Sequence, residues 1–128
     1  MTSIAGVKMD ALSIGVDLED RDVWERLVPS KRWKWFAPLF SPDELVYCYE
    51  QPSPAASFGG LFAAKEAILK ALWPTLQLTV PQIAIHHHDG KPVVVVSHPD
   101  FDQWACDVSI AHSRLCVVAV CLARHTAA

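Results

Sequence analysis

Phe62-Ala63-Ala64-Lys65-Glu66-Ala67-Ile68-Leu69-Lys70-Ala71-Leu72 is an apolar helix interrupted by three charges. Ala, Phe, Ile and Leu fill the rest of the run, as in a helix buried around most of its circumference. Glu66 and Lys70 stand one turn apart and so project from the same face. Taken alone, that spacing also describes an ion pair that merely solubilises a helix. The remainder of the chain decides between a surface pair and a site.

With 128 residues, the sequence reads as one domain over 1–128, large enough to bury a core and too short for two. Hydrophobic residues make up 52% and charged residues 20%, a balance that excludes disorder and leaves apolar surface for an oligomer to hide. A formal charge of -3 excludes a general nucleic-acid binder, so any anion site is local. Met1 to Val7 lacks the layout of a signal peptide, and Leu115 to Ala123 is too short to span a bilayer. Cys48, Cys106, Cys116 and Cys121 have no CxxC spacing and read as reduced core thiols. These features predict a cytoplasmic protein that engages neither membrane nor nucleic acid.

Leu12 to Leu18 alternates apolar with small or polar residues, a strand pattern that puts Asp17 at its end, and Gly15 admits a close backbone or ligand. Glu19 to Leu27 follows as a helix, with Val23, Trp24 and Leu27 on one face. Four carboxylates lie within Asp17 to Asp22; capping and the helix dipole account for Asp20 and Asp22 but do not require Asp17 and Glu19. Lys31-Arg32-Trp33-Lys34-Trp35 suits either phosphates and acidic surfaces or an amphipathic segment that buries its tryptophans. Ser41-Pro42-Asp43-Glu44 starts a helix that runs to about Glu50. Ser53 or Ser57 then caps the long helix, which Trp73-Pro74 ends. Two hairpins complete the chain, one turning at Asp89-Gly90 and one at Ser113-Arg114. His86-His87-His88 is not read as a metal site, because neighbours in a strand face opposite ways. The sum is an α+β fold, an antiparallel sheet packed against a long helix and shorter helices.

Asp17 and Glu66, on different elements, suit magnesium, which takes one or two protein carboxylates and completes its shell with water and phosphate oxygens. Lys70 then faces the same phosphates, the equipment of phosphoryl-type transfer.

Ile14-Gly15-Val16-Asp17-Leu18, Phe40 to Leu45, Phe62 to Ala67 with Lys70, Gly90-Lys91-Pro92 and Val108 to Ser113 resemble, in order and spacing, the signatures of the holo-acyl-carrier-protein synthases. These are the short, single-domain 4′-phosphopantetheinyl transferases. The resemblance covers roughly Ile14 to Leu122, and the FAAKEA stretch is its most specific part. It implies transfer of phosphopantetheine from coenzyme A to a serine of an acyl carrier protein, with release of adenosine 3′,5′-bisphosphate. It further implies that Asp17 and Glu66 hold Mg2+ and that Lys70 lies near the transferred phosphate, these three forming the catalytic set. By the same resemblance, Lys91, Pro92, His112 and Ser113 join Lys70 in binding coenzyme A. Short members resemble trimers with sites at subunit interfaces, so a homotrimer is implied, while the synthase-like features leave monomer and dimer open.

Asp17-Leu18-Glu19 adds an acid, as in surfactin-type and synthase-fused transferases, and makes Glu19 a third candidate metal ligand if the strand continues that far. Pro54 to Gly60 also resembles synthase-fused domains, so the implied carrier belongs to a fatty-acid or polyketide synthase. Three positions depart from the family: Leu61 and Val23 stand where arginines are usual, and Trp73-Pro74 replaces glycines. Lys31, Arg32 and Lys34 are the candidates to replace the lost basic surface towards an acidic carrier. The competing reading is a non-catalytic relative that binds a carrier domain or coenzyme A as an assembly subunit. Retention of Asp17, Glu66 and Lys70 together favours the enzyme.

Overall fold

Gly15 sets how closely the long helix meets the sheet. In a computed structural model that describes residues 3–4, 7–8 and 12–126, a Cβ placed on Gly15 would lie 1.9 Å from the Ala67 carbonyl oxygen. Only glycine permits that approach. The chain opens with the short antiparallel pair β1 (Ser3–Ile4) and β2 (Val7–Lys8), then enters β3 (Leu12–Asp20). Helices α1 (Arg21–Leu27), α2 (Trp33–Phe36) and α3 (Pro42–Tyr49) lead to the long α4 (Pro54–Leu72). A hairpin of β4 (Ile83–His88) and β5 (Lys91–Val96) follows, then a second of β6 (Trp104–His112) and β7 (Cys116–His125). The main sheet has the order β3-β7-β6, antiparallel throughout, while β4 and β5 pair by themselves. This is the expected α+β arrangement of a long helix against antiparallel sheet.

The polarity of β3 is the reverse of an ordinary half-buried strand. Its small and acidic residues Ser13, Gly15, Asp17 and Glu19 share the face turned to α4, whereas Leu12, Ile14, Val16 and Leu18 point outward. Ala67 and Ala71 come so near that face that larger side chains could not fit. Ile14 is 71% exposed, and across the sheet Val120 and Leu122 extend the same apolar surface.

Gly15→Ala is expected to cost about 3 kcal/mol, since the clash is with backbone that cannot rotate away. A melt followed by circular dichroism should show Tm falling by roughly 10 °C. An unchanged Tm would mean that α4 can retreat freely.

Several boundaries shift from the sequence reading. Asp17 does not end its strand, because β3 continues to Asp20 and α1 begins only at Arg21. Val23 is exposed rather than packed with Trp24. Asp20 occupies the α1 N-cap position without a side-chain bond, and Asp22 pairs with Arg26 at 3.1 Å. Ser53 is the N-cap residue of α4, but its hydroxyl accepts from Arg21 Nη2 at 3.4 Å rather than capping; Ser57 lies inside the helix. The predicted start of α3 is present in full, with Ser41 and Glu44 forming a capping box. Asp89 and Gly90 both take positive φ, 51° and 78°, as a type I′ turn requires.

Within the basic-aromatic segment the two tryptophans part. Trp33 joins an aromatic cluster with Trp24, Phe40 and Phe58, whereas Trp35 lies exposed with Lys34 Nζ 5.1 Å from its ring centre. All four cysteines are free thiols, Cys48 and Cys121 buried and the other two partly so. Among the described residues no helix is long and apolar enough to cross a membrane.

Candidate active site

Extension of β3 through Asp20 settles the placement of the acids. With Asp17 opposite Ala119 and Glu19 opposite Val117, the two carboxylates share one face, the face against which α4 packs. Close approach at Gly15 then brings Glu66 and Lys70 of α4 to the same place. Lys70 Nζ donates to Asp17 Oδ1 at 3.2 Å and to the Val16 carbonyl at 3.0 Å. The lysine therefore pairs across to the strand and not along its own helix with Glu66.

The third charge of the opening stretch has a different part. Lys65 is 0% exposed and donates to Glu44 Oε1 at 2.6 Å and to the Leu39 carbonyl at 2.8 Å. It ties α4 to α3 and leaves Glu66 alone to reach the acids of β3.

Crowding shows in the acids themselves. Burial, reinforced by the neighbouring Asp17 and more weakly by Glu66, pushes the Glu19 carboxyl up to about 7, against the indole of Trp24, whose Nε1 donates to Glu19 Oε1 at 3.1 Å. Glu66 is also raised, by burial first and Asp17 second, with Lys70 opposing. Asp17 Oδ2 is buried and accepts no hydrogen bond from the described residues. An acceptor kept from water with no donor is costly, and a bound cation would remove the cost.

The magnesium implied by the sequence meets donors of the right chemistry: Asp17 and Glu66 both press on Glu19, and Asp17 keeps a buried oxygen unused, oxygen atoms of the kind a hard cation takes. Among the described residues no group of three or more His, Cys, Asp and Glu side chains is gathered as a ready-made metal cluster. The His86 to His88 run makes none either; the His87 ring stacks on Tyr47 with centroids 3.9 Å apart.

Because the folded state holds the Glu19 proton more tightly than an ordinary glutamate, which titrates near 4.5, its contribution to stability is complete below pH 4.5 and is lost as pH rises to about 7. Tm measured without divalent cation should fall across that window, and Glu19→Gln should flatten the fall. A wild-type profile indistinguishable from that of Glu19→Gln would contradict this account of the cluster.

The expected coenzyme-binding residues do not all meet. Lys91, Pro92 and His112 line a cavity of about 620 Å³ with Gly60, Leu61 and the stacked His87. Lys70 is absent from it, ten residues or roughly 15 Å along α4 from Gly60. Ser113 does not line it; its hydroxyl accepts from the Cys116 amide at 2.9 Å and holds the β6–β7 turn. Leu61, at an arginine position of the resembled family, is a wall of this cavity. A second cavity, of about 610 Å³, opens beside Glu19 and is lined by Val23, Arg26, Arg32 and Phe36 among others.

Two supporting residues carry no motif of their own. Trp24 orients Glu19, and only its position five residues after an acid at a strand-to-helix junction hints at this. Arg21 donates to the Ser113 carbonyl at 3.2 Å, binding α1 to the turn after β6.

Comparison with known proteins places these features in a family. A model described as the 4′-phosphopantetheinyl transferase superfamily matches residues 13–121. A holo-[acyl-carrier-protein] synthase of Chlorobium limicola is 30% identical over 126 residues, covering 87% of this chain and 92% of the relative. One of Chlorobaculum tepidum is 33% identical over 118 residues, covering 87% and 97%. Among solved structures, the Helicobacter pylori holo-[acyl-carrier-protein] synthase in complex with coenzyme A superposes with a TM-score of 0.72 at 28% identity, covering 84% of this chain and 96% of that one.

Proposed function

The chain belongs to the 4′-phosphopantetheinyl transferase superfamily, in its short holo-acyl-carrier-protein synthase branch, and from that premise we propose how it works. It transfers 4′-phosphopantetheine from coenzyme A to a serine of an acyl carrier protein. The observation that carries the assignment of roles is the meeting of Asp17, Glu19, Glu66 and Lys70 between β3 and α4.

Asp17, Glu19 and Glu66 would hold magnesium, which when bound offsets negative charge on the pyrophosphate and the leaving group. Trp24 keeps Glu19 in place. Lys70, more than half exposed, turns its ammonium from Asp17 to a phosphate oxygen. The carrier's serine Oγ attacks the phosphorus that bears pantetheine. As the Oγ–P bond forms, the pyrophosphate P–O bond breaks and adenosine 3′,5′-bisphosphate departs. Glu66 takes the serine proton.

The nucleotide half of coenzyme A is assigned to Lys91, Pro92 and His112, with Ser113 supporting the turn. Their distance from Lys70 favours a site completed by a second copy of the chain. The outward apolar face of Leu12, Ile14, Val16 and Leu18 supplies surface for such contact, and a homotrimer is the assembly proposed. A single domain over 1–128 is proposed, supported by the one hydrophobic core that joins both hairpins to α4 among the described residues. Four free thiols agree with a cytoplasmic location.

The carrier, of a fatty-acid or polyketide synthase, is proposed to dock over the cavity beside Glu19, where Arg26 and Arg32 stand on the rim and Lys31 and Lys34 are exposed nearby. Reversing Lys31, Arg32 and Lys34 together should slow modification about tenfold at low salt and remove most of its salt dependence. Unchanged rates would remove this docking role.

Wild type and Glu66→Gln, incubated with coenzyme A, magnesium and a panel of apo carriers, test the reading as a whole. The wild type should add phosphopantetheine and the variant should not, while both bind coenzyme A. Equal rates for the two would overturn the assignment of Glu66.

A further inference from the structure

Beyond Lys70 the helix ends in Trp73, which is 63% exposed although it is the largest side chain type available. Trp73 lies one turn after both Leu69 and Lys70, and its amide donates to the Leu69 carbonyl at 3.0 Å. These three residues and Leu78 line a recess of about 310 Å³. Its walls are thus an indole, two leucines and the stem of the same lysine whose ammonium sits on Asp17. Among the described residues no acid and no second base enters the lining.

We infer that this recess receives the pantoyl end of coenzyme A, with Trp73 as the residue that determines how tightly the transferred arm is held. The inference rests on the transferase reading and adds a direction to it. Two groups flank the pyrophosphate: the ribose with its 3′-phosphate, and the pantoyl unit with its geminal methyls. Phosphate placed against Leu69 and Leu78 would lose hydration and find, besides Lys70, at most the single indole N–H of Trp73. The methyls lose nothing there and gain contact with the indole face. Lys70 forms both the wall of the recess and part of the phosphate clamp, so a phosphate on its ammonium delivers the adjoining carbons to Trp73. The nucleotide then runs the opposite way.

The competing occupant of an exposed tryptophan is the adenine ring, and three ligands separate the two. Titration calorimetry of the wild type and Trp73→Ala with coenzyme A, dephospho-coenzyme A and adenosine 3′,5′-bisphosphate should show the first two weakened about tenfold and the third unchanged. In turnover, Trp73→Ala should raise KM for coenzyme A by a similar factor with kcat kept, and Trp73→Phe should recover most of the loss. Exposure of the side chain means that Tm should stay within the wild-type range. Equal weakening of the bisphosphate would place adenine on Trp73, and no change with any ligand would leave the recess without a part; either overturns the inference. Failure of the wild type to modify any carrier overturns the transferase reading instead.

Discussion

Asp17→Asn is expected to lower kcat/KM for carrier modification by about a thousandfold or more while leaving the fold intact. The asparagine keeps an oxygen for Lys70 at the position of Oδ1, so the contact between β3 and α4 survives. What disappears is the charge and the second oxygen, the buried Oδ2 that has no partner among the described residues. Removing that charge also relieves Glu19 and Glu66, whose carboxyls it helps to raise. The variant should therefore be at least as stable as the wild type near neutral pH without metal, and should lack the rise in Tm that magnesium is expected to give the wild type. Parallel melts and rate measurements check both. A residual rate within a few-fold of wild type would show that Asp17 is not at the chemistry.

Glu44→Ala should have the largest effect on stability. The Glu44 carboxylate accepts from Lys65 at 2.6 Å, from the Ser41 amide at 2.7 Å and from the Ile85 amide at 2.8 Å, joining α4, the start of α3 and β4 at one buried point. Without it a fully buried ammonium keeps only the Leu39 carbonyl and the face of Phe40. Breaking such a pair costs about 3–5 kcal/mol, enough to lower Tm by more than roughly 10 °C. The double replacement Glu44→Leu with Lys65→Met should recover part of the loss, because no charge then remains unpaired. A single variant that melts with the wild type would contradict the structural role of the pair.

The two lysines of the opening stretch show how far the sequence can be read. Alternation in β3 and the alanines and charges of α4 were enough to expect a strand and a long helix, whereas the meeting of Asp17 with Glu66 and Lys70 was implied by the family resemblance. Helical periodicity ranks neighbours along the helix, so it paired Lys70 with Glu66; the partner in the structure is Asp17, brought close by tertiary packing at Gly15. For the same reason nothing local revealed that Lys65 and Glu44, 21 residues apart, form a buried bridge. Strand alternation also leaves open which face is inside. In β3 the alanine surface of α4 reversed the usual choice, leaving Ile14 and its neighbours outward. Glu19 could be placed only once the strand was seen to run on to Asp20. The division of the coenzyme-binding residues between two regions was likewise invisible, because a sequence motif carries no information about which surface its turn faces.

Intact mass of an apo acyl carrier protein, incubated with this protein and coenzyme A in magnesium and in excess chelator, tests the central claim most directly. The account predicts a single phosphopantetheine adduct with magnesium, its loss in chelator and its return when magnesium is restored. An adduct that forms equally in chelator would contradict the metal site of Asp17, Glu19 and Glu66. The absence of any adduct across fatty-acid and polyketide carriers in magnesium would contradict the transfer itself.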